Sequence, residues 1–243
     1  MGDHEDYPRL CRCWHADYPE ALEIRYQEGD EGMMIEEFYE NTYNIEEIPE
    51  NSVVLDLGAH IGTFSLHIAK MRGCQVYAYE PAPDTFSLLV ENVKLNKLEG
   101  QIKCFKKAVA GKPGIRKFYI VTPYSQGCSL FLDERPDAKD IIASQVMVPC
   151  VTLKQIFEEH SIESLGCLKM DVEDAEREVF NEESRPYLSR VEYLAVEWHN
   201  YDGKKYSEYM MELGFSVLLT GTGEGAGTYD PGFKRGMLYA WRD

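Results

Sequence analysis

The segment 52–63 carries residue types and a spacing that could bind a nucleoside-like ligand. Asp56, Gly58 and Gly62 form an Asp-x-Gly-x-x-x-Gly pattern. Glycine lets the chain turn sharply and lets a ligand approach the backbone closely. Glu80 follows about 20 residues later, a separation at which an acidic residue commonly binds ribose hydroxyls. The alternative is a glycine turn that serves only helix packing, with Glu80 at the surface.

The glycine spacing argues against a pyrophosphate ligand, whose cradle has the pattern Gly-x-Gly-x-x-Gly. A ligand with a ribose and no phosphates fits better, and S-adenosylmethionine (SAM) is such a ligand. We expect its ammonium group near Asp56 and its ribose near Glu80. An NAD-dependent oxidoreductase is disfavoured, and a SAM-binding module without catalysis remains open. The residues predicted to bind SAM are Asp56, Gly58, Ala59, His60, Gly62, Thr63, Glu80, Pro81, Ala108, Val109 and Asp171.

Three residues near the ends of two later strands could act on a methyl acceptor. Asp171 follows one predicted strand, and Glu197 and His199 lie at the end of the next. In an open α/β sheet these carboxyl ends are where a ligand binds. We predict all three as catalytic, with His199 as the base because its ordinary pKa is near 6.5. His199 could instead cap its strand, or the three could jointly hold a divalent metal, although a site without metal is favoured. Glu173 and Glu176 are predicted to be ion-pairing helix residues.

Two long connections could cover the acceptor, one over 122–145 and one around the Gly-rich loop 221–232. The residues predicted to contact the acceptor are Tyr124, Ser125, Ser129, Lys234 and Arg235. Arginine can bind a carboxylate bidentately. We therefore predict a small-molecule acceptor, anionic if these basic residues contact it. The alternative is that the basic pair is solvated on its hairpin.

Strands and helices alternate in the order that a doubly wound α/β sheet requires. The predicted strands are 53–57, 75–79, 102–105, 165–170 and 191–197, with an extra strand over 115–121, an extended stretch over 146–151 and a closing hairpin of 215–220 and 237–241. The predicted helices are 63–72, ending at Gly73, one that starts at Pro83, 152–160, 174–180 and 204–213. Asp84 is predicted to cap the second helix, which turns Phe86, Leu89, Val90 and Val93 to the sheet. Thr152 and Gln155 form a capping-box pattern.

The N-terminal residues 1–45 are predicted to cap a SAM-dependent methyltransferase domain over 46–243. Periodicity leaves 33–43 open between a helix and a hairpin strand. Glu36 or Glu37 could face the cofactor, although a solvated face is favoured. Cys11, Cys13 and His15 alternate along a predicted strand, but chance placement explains them better than a metal site because no second ligand pair follows.

Composition narrows the classes of partner. The 243 residues carry a formal net charge of −17, and residues 1–50 contain fifteen Asp and Glu against three Arg. This charge disfavours nucleic acids and anionic membranes. No apolar run approaches a membrane span, and no hydrophobic signal segment is recognised. The seven cysteines are therefore expected to be reduced, in a cytoplasmic protein.

The sequence resembles the FkbM family of SAM-dependent methyltransferases over roughly residues 50–200. The matching stretches are Leu55-Asp56-Leu57-Gly58-Ala59-His60-Ile61-Gly62, Tyr79-Glu80-Pro81, Glu91-Asn92-Val93-Lys94-Leu95-Asn96, Val151-Thr152-Leu153 and Leu168-Lys169-Met170-Asp171-Val172-Glu173-Asp174-Ala175-Glu176. The first two are general to class I methyltransferases, and the last is specific to the family. The resemblance implies a Rossmann-like, seven-stranded, mostly parallel sheet with an antiparallel last strand. It also implies a hydroxyl or carboxyl acceptor, and hence O-methylation.

Overall fold

The computed structural model describes residues 8–13, 21–27, 29–38, 40–121, 127–134, 141–199, 203–220 and 235–242. The strands are β1 Arg9–Cys13, β2 Leu22–Tyr26, β3 Val53–Leu57, β4 Gln75–Tyr79, β5 Ile102–Phe105, β6 Ala108–Val109, β7 Gly114–Val121, β8 Ile142–Val151, β9 Leu165–Met170, β10 Val191–His199, β11 Ser216–Leu219 and β12 Arg235–Trp241. The helices are α1 Glu31–Phe38, α2 Thr63–Arg72, α3 Pro83–Leu95, α4 Leu153–Glu159, α5 Glu176–Val179, α6 Arg185–Leu188 and α7 Gly203–Glu212. Within these ranges no helix has the length and apolarity needed to cross a membrane.

A seven-stranded sheet forms the centre of the fold, in the order β11-β12-β10-β9-β3-β4-β5. β3 pairs in parallel with both β4 and β9, and β12 runs antiparallel to both of its neighbours. The apolar run of β3 suits this central position because helices cover both faces of the sheet. Val54, Leu55 and Leu57 are accordingly inaccessible to solvent. The predicted sheet with an antiparallel last strand is confirmed.

Two of the predicted helix ends are confirmed and a third is wrong. Thr152 caps α4 through the predicted capping box with Gln155, and Gly73 ends α2 with a φ of 67°. The predicted cap of α3 is wrong, because Ala82 occupies the N-cap position and Pro83 begins the helix. The buried face of α3 contains the predicted Leu89 and Val93 together with Thr85, Leu88 and Asn92, whereas the predicted Phe86 and Val90 are only partly buried.

The face of α3 differs because this helix packs against the N-terminal hairpin as well as the sheet. Asn92 accepts from the Arg25 backbone N–H at 2.7 Å and donates to the Arg25 carbonyl at 2.9 Å. Asn96 makes the same pair of bonds with Glu23, at 2.9 and 2.7 Å. The two side chains, one helical turn apart, therefore bind the edge of β2. Amide side chains mark this contact, which apolar periodicity does not reveal.

The described part of the N-terminal segment shares its core with the central sheet. Leu22, Ile24 and Met34 pack in one cluster with Val54. The segment left open over 33–43 contains the end of helix α1, which is joined to α2 by a 2.6 Å contact between Glu37 Oε1 and His67 Nδ1. Both side chains are buried. This segment therefore covers the sheet on the side where α2 lies.

A second sheet, in the order β6-β8-β7, lies between β5 and α4 in the chain. The extra strand predicted over 115–121 is present within β7, and β8 begins at Ile142, earlier than the extended stretch that was predicted. Phe118, Leu130 and Phe131 form a small core with Val148. Since Phe118 and Leu130 also line the cleft described next, this insertion forms one of its walls.

Candidate active site

A cleft opens at the carboxyl edge of β3, β4, β9 and β10. It encloses about 840 Å³ of empty space, counting its open mouth. Of the residues predicted to bind SAM, the lining includes Gly58, His60, Glu80, Pro81, Ala108, Val109 and Asp171. Glu197 and Arg235 also line it. The central strands therefore bring most of the predicted site together.

Gly58 makes the turn after β3 possible. Its φ is +80°, and a Cβ there would overlap the carbonyl oxygen of Asp171. The overlap arises because the Asp171 N–H donates to the Leu57 carbonyl at 2.9 Å, which extends the β3–β9 ladder to the turn. Any side chain at position 58 would push these two strand ends apart.

Gly62 has a different role from the one predicted. Its φ is +93°, and a Cβ would lie 2.6 Å from Leu89 Cδ1. A larger side chain would therefore strike α3 rather than a ligand in the cleft, and Gly62 serves helix packing. Ala59 and Thr63 are also buried and are not among the lining residues.

Glu80 is held in place by backbone donors and faces the cleft. Its Oε2 accepts from the His60 N–H at 2.9 Å and its Oε1 from the Ala82 N–H at 2.8 Å. Burial raises the pKa of Glu80 to about 7, although both N–H groups favour its charged form. A carboxylate has about four acceptor sites, so two remain for a diol.

Asp56 does not face the cleft, which revises the prediction that it meets the ammonium group of SAM. It is fully buried, with Oδ1 3.2 Å from Lys169 Nζ and Oδ2 accepting from the Ser65 hydroxyl at 2.6 Å. Lys169 Nζ also donates to the Gly58 carbonyl at 2.6 Å. Burial alone would lower the pKa of Lys169, but Asp56 and Asp171 outweigh it and raise the pKa. Asp56 therefore positions the Gly58 turn through Lys169.

His199 lies within β10, behind the wall of the cleft, and is surrounded by carboxylates. Its Nε2 is 3.9 Å from Asp171 Oδ1, 3.8 Å from Glu173 Oε2 and 3.6 Å from Glu197 Oε1. Its Nδ1 is 3.4 Å from Glu176 Oε1. The imidazole is thus enclosed by acidic groups from the ends of β9 and β10 and from the start of α5.

The charges in this cluster oppose the predicted role of His199 as a base. Burial alone would lower the pKa of His199, but Glu173, Glu176 and Glu197 outweigh it, so the pKa lies well above its ordinary value. Burial, and then the nearby Glu197 carboxylate, raise the pKa of Asp171 well above its usual range. An imidazole that already holds a proton cannot accept another, and its side chain is 2% exposed.

The prediction that Glu173 and Glu176 are ion-pairing helix residues holds for Glu176, which begins α5 and lies 3.4 Å from His199 Nδ1. Glu173 also lies near His199, but it precedes the helix. Glu173 and Asp174 have φ values of 50° and 79°, so the helix predicted over 174–180 shortens to α5. This left-handed turn, a conformation that non-glycine residues rarely adopt, lets Glu173 line the cleft. Glu176 is fully buried and accepts from the Val172 N–H at 3.2 Å.

The predicted acceptor residues have mixed outcomes. Ser129 is fully buried and donates to the Glu173 carbonyl, so its geometry indicates support of the turn rather than contact with an acceptor. Arg235 lines the cleft, with Nη1 3.8 Å from Glu197 Oε1. Tyr124, Ser125 and Lys234 lie outside the described residues, as does His15 of the Cys-x-Cys-x-His pattern.

Several lining residues were missed or disfavoured by sequence reasoning. Glu36 of α1 reaches the cleft, and burial, then Glu197, raise its pKa. Lys107 and Phe118 line the side formed by the insertion, as does Cys128, which belongs to the long connection predicted to cover the acceptor. These residues line the cleft because the N-terminal segment and the second sheet fold over the central sheet. For Lys107 the sequence signal was its position directly before Ala108 and Val109, which were predicted to bind SAM.

The sheet order, the one described strand that runs antiparallel to its neighbours, β12, and a cleft at the carboxyl edge define a class I methyltransferase. The Methyltransferase FkbM domain model matches residues 56–217 of this sequence, and the chain belongs to the FkbM methyltransferase family. The class and the family imply the use of SAM.

Two curated methyltransferases and one solved structure are similar to this chain. The chain is 28% identical over 187 residues to the 31-O-demethyl-FK506 methyltransferase FkbM of Streptomyces tacrolimicus, with 65% of this chain and 69% of that protein covered. It is 25% identical over 206 residues to Methyltransferase sdnD of Sordaria araneosa, covering 74% and 80% respectively. An rRNA methylase from Streptococcus thermophilus superposes with a TM-score of 0.49 at 11% identity, over 84% of this chain and 95% of that one.

Proposed function

We propose that this chain transfers the methyl group of SAM to an oxygen atom of a small metabolite. The observation that carries the proposal is that one cleft has Glu80 and the His60 turn on one side and Asp171 and Glu197 on another. A cofactor with its ribose at Glu80 could therefore direct its sulfonium toward the ends of β9 and β10. In-line displacement requires the acceptor oxygen, the methyl carbon and the sulfur to be aligned there.

The charge of the cleft supports a cationic cofactor. Its acidic lining residues are Glu36, Glu80, Asp171, Glu173 and Glu197, against the cations Lys107 and Arg235. SAM carries a positive sulfonium, whereas S-adenosylhomocysteine (SAH), its demethylated product, does not. Ionised carboxylates in a partly desolvated cleft stabilise such a charge. Glu197 is the best suited of them, because burial alone would raise its pKa but His199 and Arg235 outweigh burial and lower its pKa. This balance favours SAM over SAH.

The wall of the cleft and the name of a relative support an oxygen acceptor. The relative from Streptomyces tacrolimicus is named for a 31-O-demethyl compound, and we extend only the type of acceptor atom to this chain. The new bond forms between the acceptor oxygen and the methyl carbon as the C–S bond breaks, and its electron pair stays on sulfur. A hydroxyl acceptor also releases a proton, for which Glu197 is placed as the acceptor because it lines the cleft and His199 does not,. A carboxylate acceptor would need no base.

The electrostatics do not favour the anionic acceptor that the sequence suggested. Arg235 is the basic residue that motivated this prediction, but Glu197 Oε1 lies 3.8 Å from Arg235 Nη1. Arg235 is also close enough to Glu36 to oppose the rise in the pKa of Glu36 that burial causes. We therefore propose a neutral, hydroxyl-bearing small molecule. The net charge of −17 also argues against nucleic acids and anionic membranes as partners.

The test is methyl transfer from SAM labelled at the methyl group, in the presence of pooled hydroxyl-bearing metabolites. We expect SAH to form together with a labelled product that releases its methyl group under ether- or ester-cleaving conditions. Calorimetry should detect binding of SAM and not of NAD. Binding of NAD in preference to SAM would contradict the proposal, and a product labelled on nitrogen or carbon would contradict the choice of acceptor atom.

A further inference from the structure

The carboxylate–histidine cluster beneath the acceptor side of the cleft has the composition of a metal site. Asp171, Glu173 and His199 each offer one ligand atom, and these atoms lie within 4.8 Å of one another. Carboxylate oxygens and an imidazole nitrogen together suit divalent ions such as Mn²⁺. We propose that Asp171, Glu173 and His199 bind one divalent cation, for which Mn²⁺ is the probe.

The distances between the three ligand atoms are close to those that one bound ion requires. Around an octahedral ion with bonds of about 2.1 Å, neighbouring ligand atoms lie about 3.0 Å apart and opposite ones about 4.2 Å. His199 Nε2 is 3.9 Å from Asp171 Oδ1 and 3.8 Å from Glu173 Oε2. Since only one oxygen can lie opposite Nε2, at least one of these distances must shorten by about 0.8 Å, a side-chain rearrangement that would bring all three ligand atoms onto one ion. Asp171 Oδ1 is buried and has no hydrogen-bond partner within the described residues, so an acceptor atom is available at this point.

Glu176 orients the imidazole as metal-binding histidines are usually oriented. Such histidines donate the N–H that does not bind metal to a carboxylate or a carbonyl, which fixes the tautomer and the ring plane. Here His199 Nδ1 is 3.4 Å from Glu176 Oε1, and the Val172 N–H holds that same oxygen at 3.2 Å. This arrangement directs Nε2 toward Asp171 and Glu173. Glu176 is fully buried, so it acts as a positioning residue rather than as a ligand.

The composition of the site differs from the set considered from the sequence, which joined Asp171 and His199 with Glu197. Glu173 replaces Glu197 because the left-handed turn at Glu173 brings its carboxylate to the cluster. Glu197 Oε1, 3.6 Å from His199 Nε2, stays beside the ion and lines the cleft. An ion held by three protein ligands keeps open positions. This consequence rests on the proposed function: an acceptor hydroxyl bound there would lose its proton more readily and pass it to Glu197.

Metal binding can be measured without any acceptor. Protein stripped with EDTA is titrated with Mn²⁺, and free Mn²⁺ is followed by electron paramagnetic resonance. We expect one Mn²⁺ per chain, with at least tenfold weaker binding in Asp171→Asn and in Glu173→Gln. The matched control is Glu163→Gln, an exposed residue before the start of β9 at the opposite edge of the sheet, which should bind Mn²⁺ as the parent does.

The outcomes separate this proposal from the proposed function. Each variant is first shown by circular dichroism to unfold cooperatively. Glu173→Gln should pass this control, because it changes a partly exposed side chain with little effect on the core. Absence of Mn²⁺ binding by the parent at millimolar concentration would overturn the metal site, as would parental affinity in both ligand variants. Those results would indicate a buried ion-pair network. SAM binding is measured on the same metal-free protein, so its loss would count against the proposed function alone.

Discussion

The affinity for SAM should depend on pH through Glu80. Burial raises the pKa of this carboxyl to about 7, and a ribose diol donates hydrogen bonds, so SAM binds the ionised form. With a pKa of about 7, roughly 9% of Glu80 is ionised at pH 6 and roughly 91% at pH 8. Affinity should therefore rise about tenfold from pH 6 to pH 8 and then level off. Affinity rises with pH because the hydrogen bonds from the ribose favour the charged form of Glu80 and therefore lower the pKa of Glu80 in the complex.

Substituting Glu80 by glutamine isolates this effect. The hydrogen bonds to a charged group are worth about 1.5–3 kcal/mol, so Glu80→Gln should weaken SAM binding about 10- to 150-fold at pH 8. The variant should also lose the rise in affinity between pH 6 and pH 8. Glutamine keeps only one acceptor oxygen for the two backbone N–H groups of His60 and Ala82, so the variant must be shown to be folded at the assay temperature.

The assay is isothermal titration calorimetry with SAM across this pH range. Glu99→Gln serves as the matched control, because Glu99 is exposed on the turn after α3. It should bind SAM as the parent does at every pH. If folded Glu80→Gln bound SAM as tightly as the parent, or kept the same pH dependence, the assignment of Glu80 to the ribose would be refuted.

Three further substitutions test how the site is built. Gly58→Ala should lower the free energy of unfolding by about 3 kcal/mol or more. The control is Gly100→Ala, which should leave it unchanged because a Cβ at Gly100 meets nothing within 4 Å. Similar urea midpoints for the two variants would count against the turn assigned to Gly58. Lys169→Met should lower the free energy of unfolding by about 3–5 kcal/mol, because it leaves Asp56 charged and buried. Urea denaturation measures this loss, and a loss below about 1 kcal/mol would contradict the prediction. Glu197→Gln should weaken the binding of SAM severalfold more than that of SAH, and equal effects in calorimetry would show that the sulfonium lies elsewhere.

Local sequence signals predicted the elements of the fold well. The buried run of β3, the capping box at Thr152 and the glycine that ends α2 each depend on residues within one turn or strand, so one sequence suffices to recognise them. The cap of α3 failed because Pro83 begins the helix, which places Asp84 inside its first turn. The glycine at position 62 was recognised, but its neighbour Leu89 comes from another helix, so its role could not be predicted.

The candidate site was predicted in its location and only partly in its chemistry. Strand order alone places Glu80, Asp171 and Glu197 at one edge. The roles of Asp56 and His199 depend on partners distant in the chain, Lys169 in the first case and Glu176 in the second. Whether a buried ionisable group faces a ligand or another charge is decided by tertiary packing, which spacing along the sequence does not reveal.

The most direct test of the central claim is a crystal structure of the protein with SAH bound. The account predicts that the ligand fills the cleft, with its ribose hydroxyls within hydrogen-bonding distance of the Glu80 carboxylate. Its sulfur should point toward the ends of β9 and β10, beside Asp171 and Glu197. SAH bound outside this cleft, or bound within it with its ribose away from Glu80, would contradict the account.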